Sequence, residues 1–285
     1  MKKHAYLIMA HTNFNQLQSL INTIDDSRND IFIHIDKKCT LDSSKLSSKY
    51  SKLYFTKRNN VIWGGYSQID TELVLLKKAF SVSPDYNRFH LLSGLDLPIK
   101  SQDYIHSFFE NNNQEYIDYD MNDQYFDDRC KYYYTFQDIV GRDNRNALIK
   151  QLRRIQNLLV KLQTKFKIIR HTNMTLYKGA NWFSITNGMA KYILDNEKNI
   201  KKIFGMTLCC DELFLQTFAK ISPFSNNINQ INLRLIDWNR GKPYTFKAED
   251  YNELLNSDCL FARKFDETID SKIIDLIIAK VGCLS

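Results

Sequence analysis

Over its first hundred residues the chain alternates two hydrophobic periods. Runs with period-two spacing near 4–9, 31–36, 53–56 and 88–93 are separated by helical patterns over 15–24 and 67–80. Parallel strands need long crossovers, usually helices, so this alternation predicts an α/β fold with a mostly parallel sheet flanked by helices. The later half continues in mixed fashion, with a strand-like run at 182–185, helices near 187–199 and 211–220, a strand-like run at 231–236, and helices near 248–256 and 269–280. No glycine- or proline-rich linker divides the halves, so one domain over 1–285 is expected.

Composition narrows the class. At 285 residues, 44% hydrophobic and 25% charged, with nine Gly and four Pro, the chain has an ordinary globular make-up and no disordered or fibrous bias. Six cysteines show no CxxC pair and no zinc-ligand rhythm. Free thiols are therefore expected, and with no apolar run of membrane-spanning length, so is a cytoplasmic protein. GxGxxG, GxxxxGK, HExxH and GxSxG are absent, which argues against Rossmann oxidoreductases, P-loop ATPases, zinc proteases and α/β-hydrolases.

The net charge of +7 is concentrated in one place: residues 142–170 carry nine Lys or Arg against one Asp. Within them Leu148, Leu152, Ile155, Leu159, Leu162 and Phe166 recur at helical spacing, which makes a basic amphipathic helix. Packing of the stripe on the core is the expected arrangement, and peripheral contact with an anionic membrane is the other use. Nucleic-acid binding is not expected, because Phe166 is a poor stacking platform by itself. Upstream, acidic and aromatic residues mix over 115–128, as in loops that line sites.

Several carboxylates fall where open α/β sheets bind ligands, at the carboxyl ends of strands. Ile33-His34-Ile35-Asp36 ends one strand, although Asp is also common in plain turns. Leu92-Ser93-Gly94-Leu95-Asp96-Leu97-Pro98 ends another. Between them, Val61-Ile62-Trp63-Gly64-Gly65-Tyr66-Ser67 joins a strand to a helix, with glycines that permit close approach and Ser67 placed to cap. In Cys209-Cys210-Asp211-Glu212-Leu213, Asp211 suits a helix cap, and Glu212, if it projects into a cleft, suits a general base. Arg263 and Lys264, in an apolar frame, suit a diphosphate; a surface ion pair with Asp266 is the plainer alternative.

Taken in order, IHID, VIWGGYS, LLSGLDLPIKS, GANWFSIT, CCDELFLQT, IDWNRGKP and LFARKFD resemble the core-2/I-branching N-acetylglucosaminyltransferase family, which includes peptide-O-xylosyltransferases. Trp182-Phe183, Asp237-Trp238 and FARKF look closer to the xylosyltransferase branch. The resemblance implies a GT-A-type fold, with a donor-nucleotide half at about 1–120 and an acceptor and catalytic half at about 121–285. It further implies a UDP-sugar donor (GlcNAc, xylose or another hexose) and inverting transfer to a glycan or lipid-linked hydroxyl. Carried over, Asp36 would contact the uridine, Trp63, Gly64 and Asp96 would line the donor pocket, and Arg263 and Lys264 would hold the diphosphate. Glu212 would be the base and Trp182 and Asp211 would meet the acceptor. Tyr125 and Tyr132 are further sugar platforms, and Arg240 and Lys242 further diphosphate contacts.

GT-A enzymes usually chelate a divalent ion through DxD, but the matching strand end reads Asp96-Leu97-Pro98, and Asp118-Tyr119-Asp120 lies too far downstream. No metal and no cofactor are expected. Without a signal anchor, a stem or a disulfide-rich set, the chain resembles bacterial members that build surface polysaccharide. A non-catalytic carbohydrate- or nucleotide-binding homologue is the alternative.

Overall fold

The computed structural model describes residues 2–119, 127–141, 146–170, 174–241 and 243–282. Its N-terminal part runs β1 (His4–Ala10), α1 (Phe14–Ile24), β2 (Asn29–Ile35), β3 (Lys52–Phe55), α2 (Tyr66–Val82), β4 (Arg88–Ser93), β5 (Leu97–Pro98), α3 (Gln102–Phe109) and β6 (Glu115–Ile117). The short helices α4 (Asp127–Lys131) and α5 (Gln137–Val140) precede the long α6 (Ala147–Lys165). Then follow β7 (Phe183–Thr186), α7 (Asn187–Asp195), α8 (Glu197–Phe204), α9 (Phe214–Lys220), β8 (Ile228–Asn229), β9 (Arg234–Ile236), α10 (Tyr251–Asn256), β10 (Phe261–Arg263) and α11 (Ser271–Val281).

Seven strands form the central sheet in the order β3-β2-β1-β4-β7-β6-β8. β3, β2, β1 and β4 are parallel, and β7 is antiparallel to both β4 and β6. This is the expected mixed, mainly parallel α/β sheet, a GT-A-like fold. The near-continuous burial of β1, β2 and β4 matches strands covered on both faces. Because β2 and β4 lie on opposite sides of β1, the chain reverses direction of travel there, and a crevice opens at the carboxyl ends of these strands. A second sheet, β5-β10-β9, lies beside that crevice. Arg234 joins the sheets: buried in β9, it donates to Ser184 Oγ at 2.8 Å, to the Phe183 carbonyl at 2.6 Å and to the Leu91 carbonyl at 3.1 Å.

Several expectations need correction. The helix expected over 187–199 is two, broken at Asn196. The run at 211–220 opens with a 3-10 turn, Cys210–Glu212, before α9. The strand expected over 231–236 starts only at Arg234, since Leu233 has a left-handed φ of 61°. Ser67 does not cap α2; helix geometry starts at Tyr66, and the Ser67 hydroxyl accepts from the Ile62 amide at 2.9 Å. The acidic stretch begins as strand: Glu115 is buried in β6 and its carboxylate accepts from the Thr186 amide and hydroxyl.

The largest correction concerns α6. Its apolar stripe is not packed on the core: Leu148, Ile155, Leu159, Leu162 and Phe166 are exposed, and Gln156 is the buried residue of the helix. No helix among the described residues is long and apolar enough to cross a membrane.

Candidate active site

Two groups of side chains meet at the crevice. The first gathers at the strand ends. Asp96, fully buried after β4, accepts from the Ser93 amide at 2.8 Å and hydroxyl at 2.7 Å, and pairs with Arg263 at 2.7 Å. Arg263, at the end of β10, also donates to the Ser93 hydroxyl, and its guanidinium lies 4.5 Å from the Trp182 ring centre. Trp182 is carried there by register: Phe89 and His90 of β4 stand opposite Ile185 and Ser184, so Trp182 reaches the end of β4. Asp36, buried at the end of β2, accepts from the Lys38 amide at 2.9 Å and lies 3.3 Å from its Nζ. Burial first, and then the Arg263 charge with a smaller effect of Lys264, holds the imidazole of His11, just past β1, below its usual range.

The second group forms where the loop before α2 meets the Cys209–Glu212 turn. Gly64 has φ of +70°, and an added Cβ would come within 3.3 Å of both Cys209 Sγ and the Gln137 amide nitrogen. Glycine is required here by backbone and space together. The Gly64 carbonyl accepts from the Cys209 amide at 2.9 Å, and Trp63 beside it is half exposed. Gln68, one turn into α2, donates to Asp211 at 2.8 Å. Burial, then the neighbouring Glu212 charge, pushes the Asp211 carboxyl up to about 7. Glu212 is 36% exposed and pairs with Arg129 at 2.5 Å.

Gly179-Ala180-Asn181-Trp182 connects the groups. The Gly179 amide donates to the Glu212 carbonyl at 2.9 Å, and a Cβ on Gly179 would sit 1.9 Å from the Asp118 carbonyl oxygen. Gln216 holds the Ala180 carbonyl at 2.7 Å. Asn181 faces Glu72, a fully buried α2 residue whose carboxyl is raised well above its usual range by burial and then by Asp211. Trp182 meets Arg263. Even fully extended, Gly179 to Trp182 spans no more than about 11 Å, so the Glu212 backbone and the Trp182–Arg263 contact are held near each other.

Arg129 and Glu72 were not among the sequence candidates. Nothing in the local sequence marks them: Arg129 follows an acidic run, and Glu72 has the spacing of an ordinary helical residue. Arg240 is correctly seen only in the structure. It pairs with Asp237, Asp250 and Glu253 in a surface network rather than standing free for a diphosphate. Arg263 pairs with Asp96 and not with Asp266, which accepts from Asn13 and Thr268 instead. Tyr132 is half-buried. Tyr125, Lys242 and Asp120 of the DxD triplet lie outside the described residues. A cavity of about 850 Å³, bordered by Tyr133, Met174, Asn196 and Met206, includes none of these residues.

A mainly parallel sheet with carboxylate, guanidinium and tryptophan side chains gathered at its switch point is a GT-A-like arrangement. The chain belongs to the Core-2/I-branching enzyme family, whose profile matches residues 4–257. It is similar to xylosyltransferase 2 of Rattus norvegicus, at 22% identity over 305 residues, covering 96% of this chain and 33% of that protein. It is also similar to xylosyltransferase 1 of Homo sapiens, at 24% identity over 302 residues, covering 95% of this chain and 29% of that protein. The chain thus spans about a third of the length of the curated relatives it matches.

Proposed function

We propose that this chain is an inverting glycosyltransferase that moves a sugar from a UDP-sugar to a hydroxyl of a glycan or glycolipid acceptor, with Glu212 as general base. The observation that carries the reading is the short Gly179–Trp182 bridge, which ties the Glu212 turn at one end to Arg263 at the other. Glu212 takes the proton from the acceptor hydroxyl, whose oxygen attacks the anomeric carbon opposite the diphosphate. The bond from that carbon to the diphosphate oxygen breaks, and UDP departs with the electron pair. One displacement inverts the anomeric configuration.

Arg263 and Lys264 bind the diphosphate in this reading. Ser93 and Asp96 take one terminal nitrogen of Arg263 and fix the fork, which leaves its other N–H groups for phosphate oxygens. A preorganised cation beside the leaving group acts where charge develops. Asp36 meets the uridine, Trp63 and Gly64 border the donor, and Trp182 and Asp211 border the acceptor side. The donor sugar is GlcNAc, xylose or another hexose, and the setting is bacterial surface polysaccharide or glycolipid assembly.

The diphosphate is held without a divalent ion. Support comes from Asp96, the carboxylate at the strand end where a chelating pair would stand: both of its oxygens are already bonded. The free thiols Cys39, Cys130, Cys209, Cys210 and Cys259 suit the reducing cytoplasm.

Transfer from UDP-GlcNAc and UDP-xylose, with the product anomer read by NMR, tests the proposal. Glu212→Gln is expected to lower kcat by about 10²- to 10⁴-fold while UDP affinity is kept. A variant turning over at the wild-type rate, or a product of retained configuration, would overturn it.

A further inference from the structure

Among the described residues, nothing covers the outward face of α6. Leu148 is 62% exposed, Leu158 56% and Phe166 65%, and Ile155, Leu159 and Leu162 are exposed beside them. The helix is attached through polar groups instead. Gln156 donates to Gln137 Oε1 at 3.0 Å and accepts from the Phe136 amide at 2.9 Å. Gln163 brackets the Tyr133 backbone, accepting from its amide at 2.8 Å and donating to its carbonyl at 3.1 Å. A contiguous apolar strip on a helix so anchored is a docking face.

Charge says what it docks on. At about 100° per residue, the body-facing Gln156 and Gln163 run along one edge of the stripe, while Lys150, Arg154, Lys161 and Lys165 follow the other, beyond Leu158. No Asp or Glu occurs in α6. A second copy of this chain would bring two such basic edges together, and a nucleic acid would leave the stripe in water. We propose that α6 docks flat on an anionic lipid bilayer, its leucines entering the acyl boundary and its Lys and Arg side chains meeting the headgroups.

Docking there would also orient the cleft. Gln137, which Gln156 holds, donates to the Trp63 carbonyl at 3.2 Å, so α6 is linked through Gln137 to the loop that carries Trp63 and Gly64. A bilayer under α6 therefore sets the direction of the cleft relative to the lipid surface. The proposal does not depend on the transfer chemistry, because vesicle binding is read without turnover.

Sedimentation with vesicles of phosphatidylcholine alone, and of phosphatidylcholine with one quarter phosphatidylglycerol, tests it on the whole chain. The expected result is binding at least about tenfold tighter to the anionic vesicles, weakened by added salt. Leu159→Asp combined with Phe166→Asp, and separately Arg154→Glu combined with Lys161→Glu, should each abolish it with the thermal melt unchanged. These exposed positions are outside the cleft. Equal binding to both vesicles, binding retained in the charge-reversed variant, or no vesicle binding with a dimer that the Asp variant dissociates would overturn the proposal.

Discussion

Asp96 carries more of the site's order than its sequence position implies. It is the buried counter-charge of Arg263, and removing one member of a buried pair leaves the other uncompensated. Asp96→Ala is expected to lower unfolding free energy by about 3 kcal/mol or more in a urea melt, whereas Lys264→Ala should change it little. Asp211 supplies the pH dependence. Its carboxyl is raised to about 7, so as pH rises through neutrality it ionises beside Glu212 and adds a negative charge that favours uptake of an acceptor proton at that turn. Activity should therefore climb across the neutral range, and Asp211→Asn should remove that inflection from the kcat profile. Asp36, Trp63, Gly64, Glu212 and Arg263 were legible in the sequence because each sits in a motif at a strand or helix end. Arg129 and Glu72 were not, because their placement comes from the tertiary fold: Arg129 reaches Glu212 from α4, and Glu72 is fully buried within α2, where the Asp211 charge helps to raise its carboxyl.

Among the elements, the parallel core β1 to β4 could be read from its periodicity, since strands buried on both faces and long amphipathic crossovers leave a strong pattern. β5, β6 and β10 could not, because two or three residues are too short to show a period. For α6 the pattern located the helix but assigned its stripe to the wrong side. Periodicity reports that an apolar face exists, and what covers it depends on the rest of the fold, here Gln137, Phe136 and Tyr133 gripping the neighbouring polar edge. The Gly179–Trp182 bridge carries its own prediction. Gly179→Ala would press a methyl group onto the Asp118 carbonyl, so it should cut turnover and destabilise the fold, by about 1–3 kcal/mol as overpacking does. Thermal melts and transfer rates measured together check it.

At the scale of the whole molecule, stability should depend on acid through three buried histidines, His4 of β1, His90 of β4 and His106 of α3. His90 Nε2 lies 3.2 Å from His4 Nδ1, the His4 and His106 rings stack at 4.0 Å, and His106 Nε2 meets Asn29 Oδ1 at 2.9 Å. Burial first, then neighbouring cations or cationic His, lowers all three, His106 to about 4. Since the unfolded chain binds these protons more readily, stability should be lost as pH falls from about 6.5 toward 4, by roughly 2–3 kcal/mol from His106 alone, and His106→Gln should blunt the loss. The same sheet sets the crevice at which the account stands or fails as a whole: a nucleotide diphosphate held by Arg263 rather than by a metal ion. Calorimetric titration of UDP in excess chelator, on the wild-type chain and on Arg263→Ala, tests this most directly. The account predicts single-site binding without metal that the variant weakens by at least about tenfold. Binding that appears only when manganese is supplied, or that is indifferent to Arg263, would contradict it.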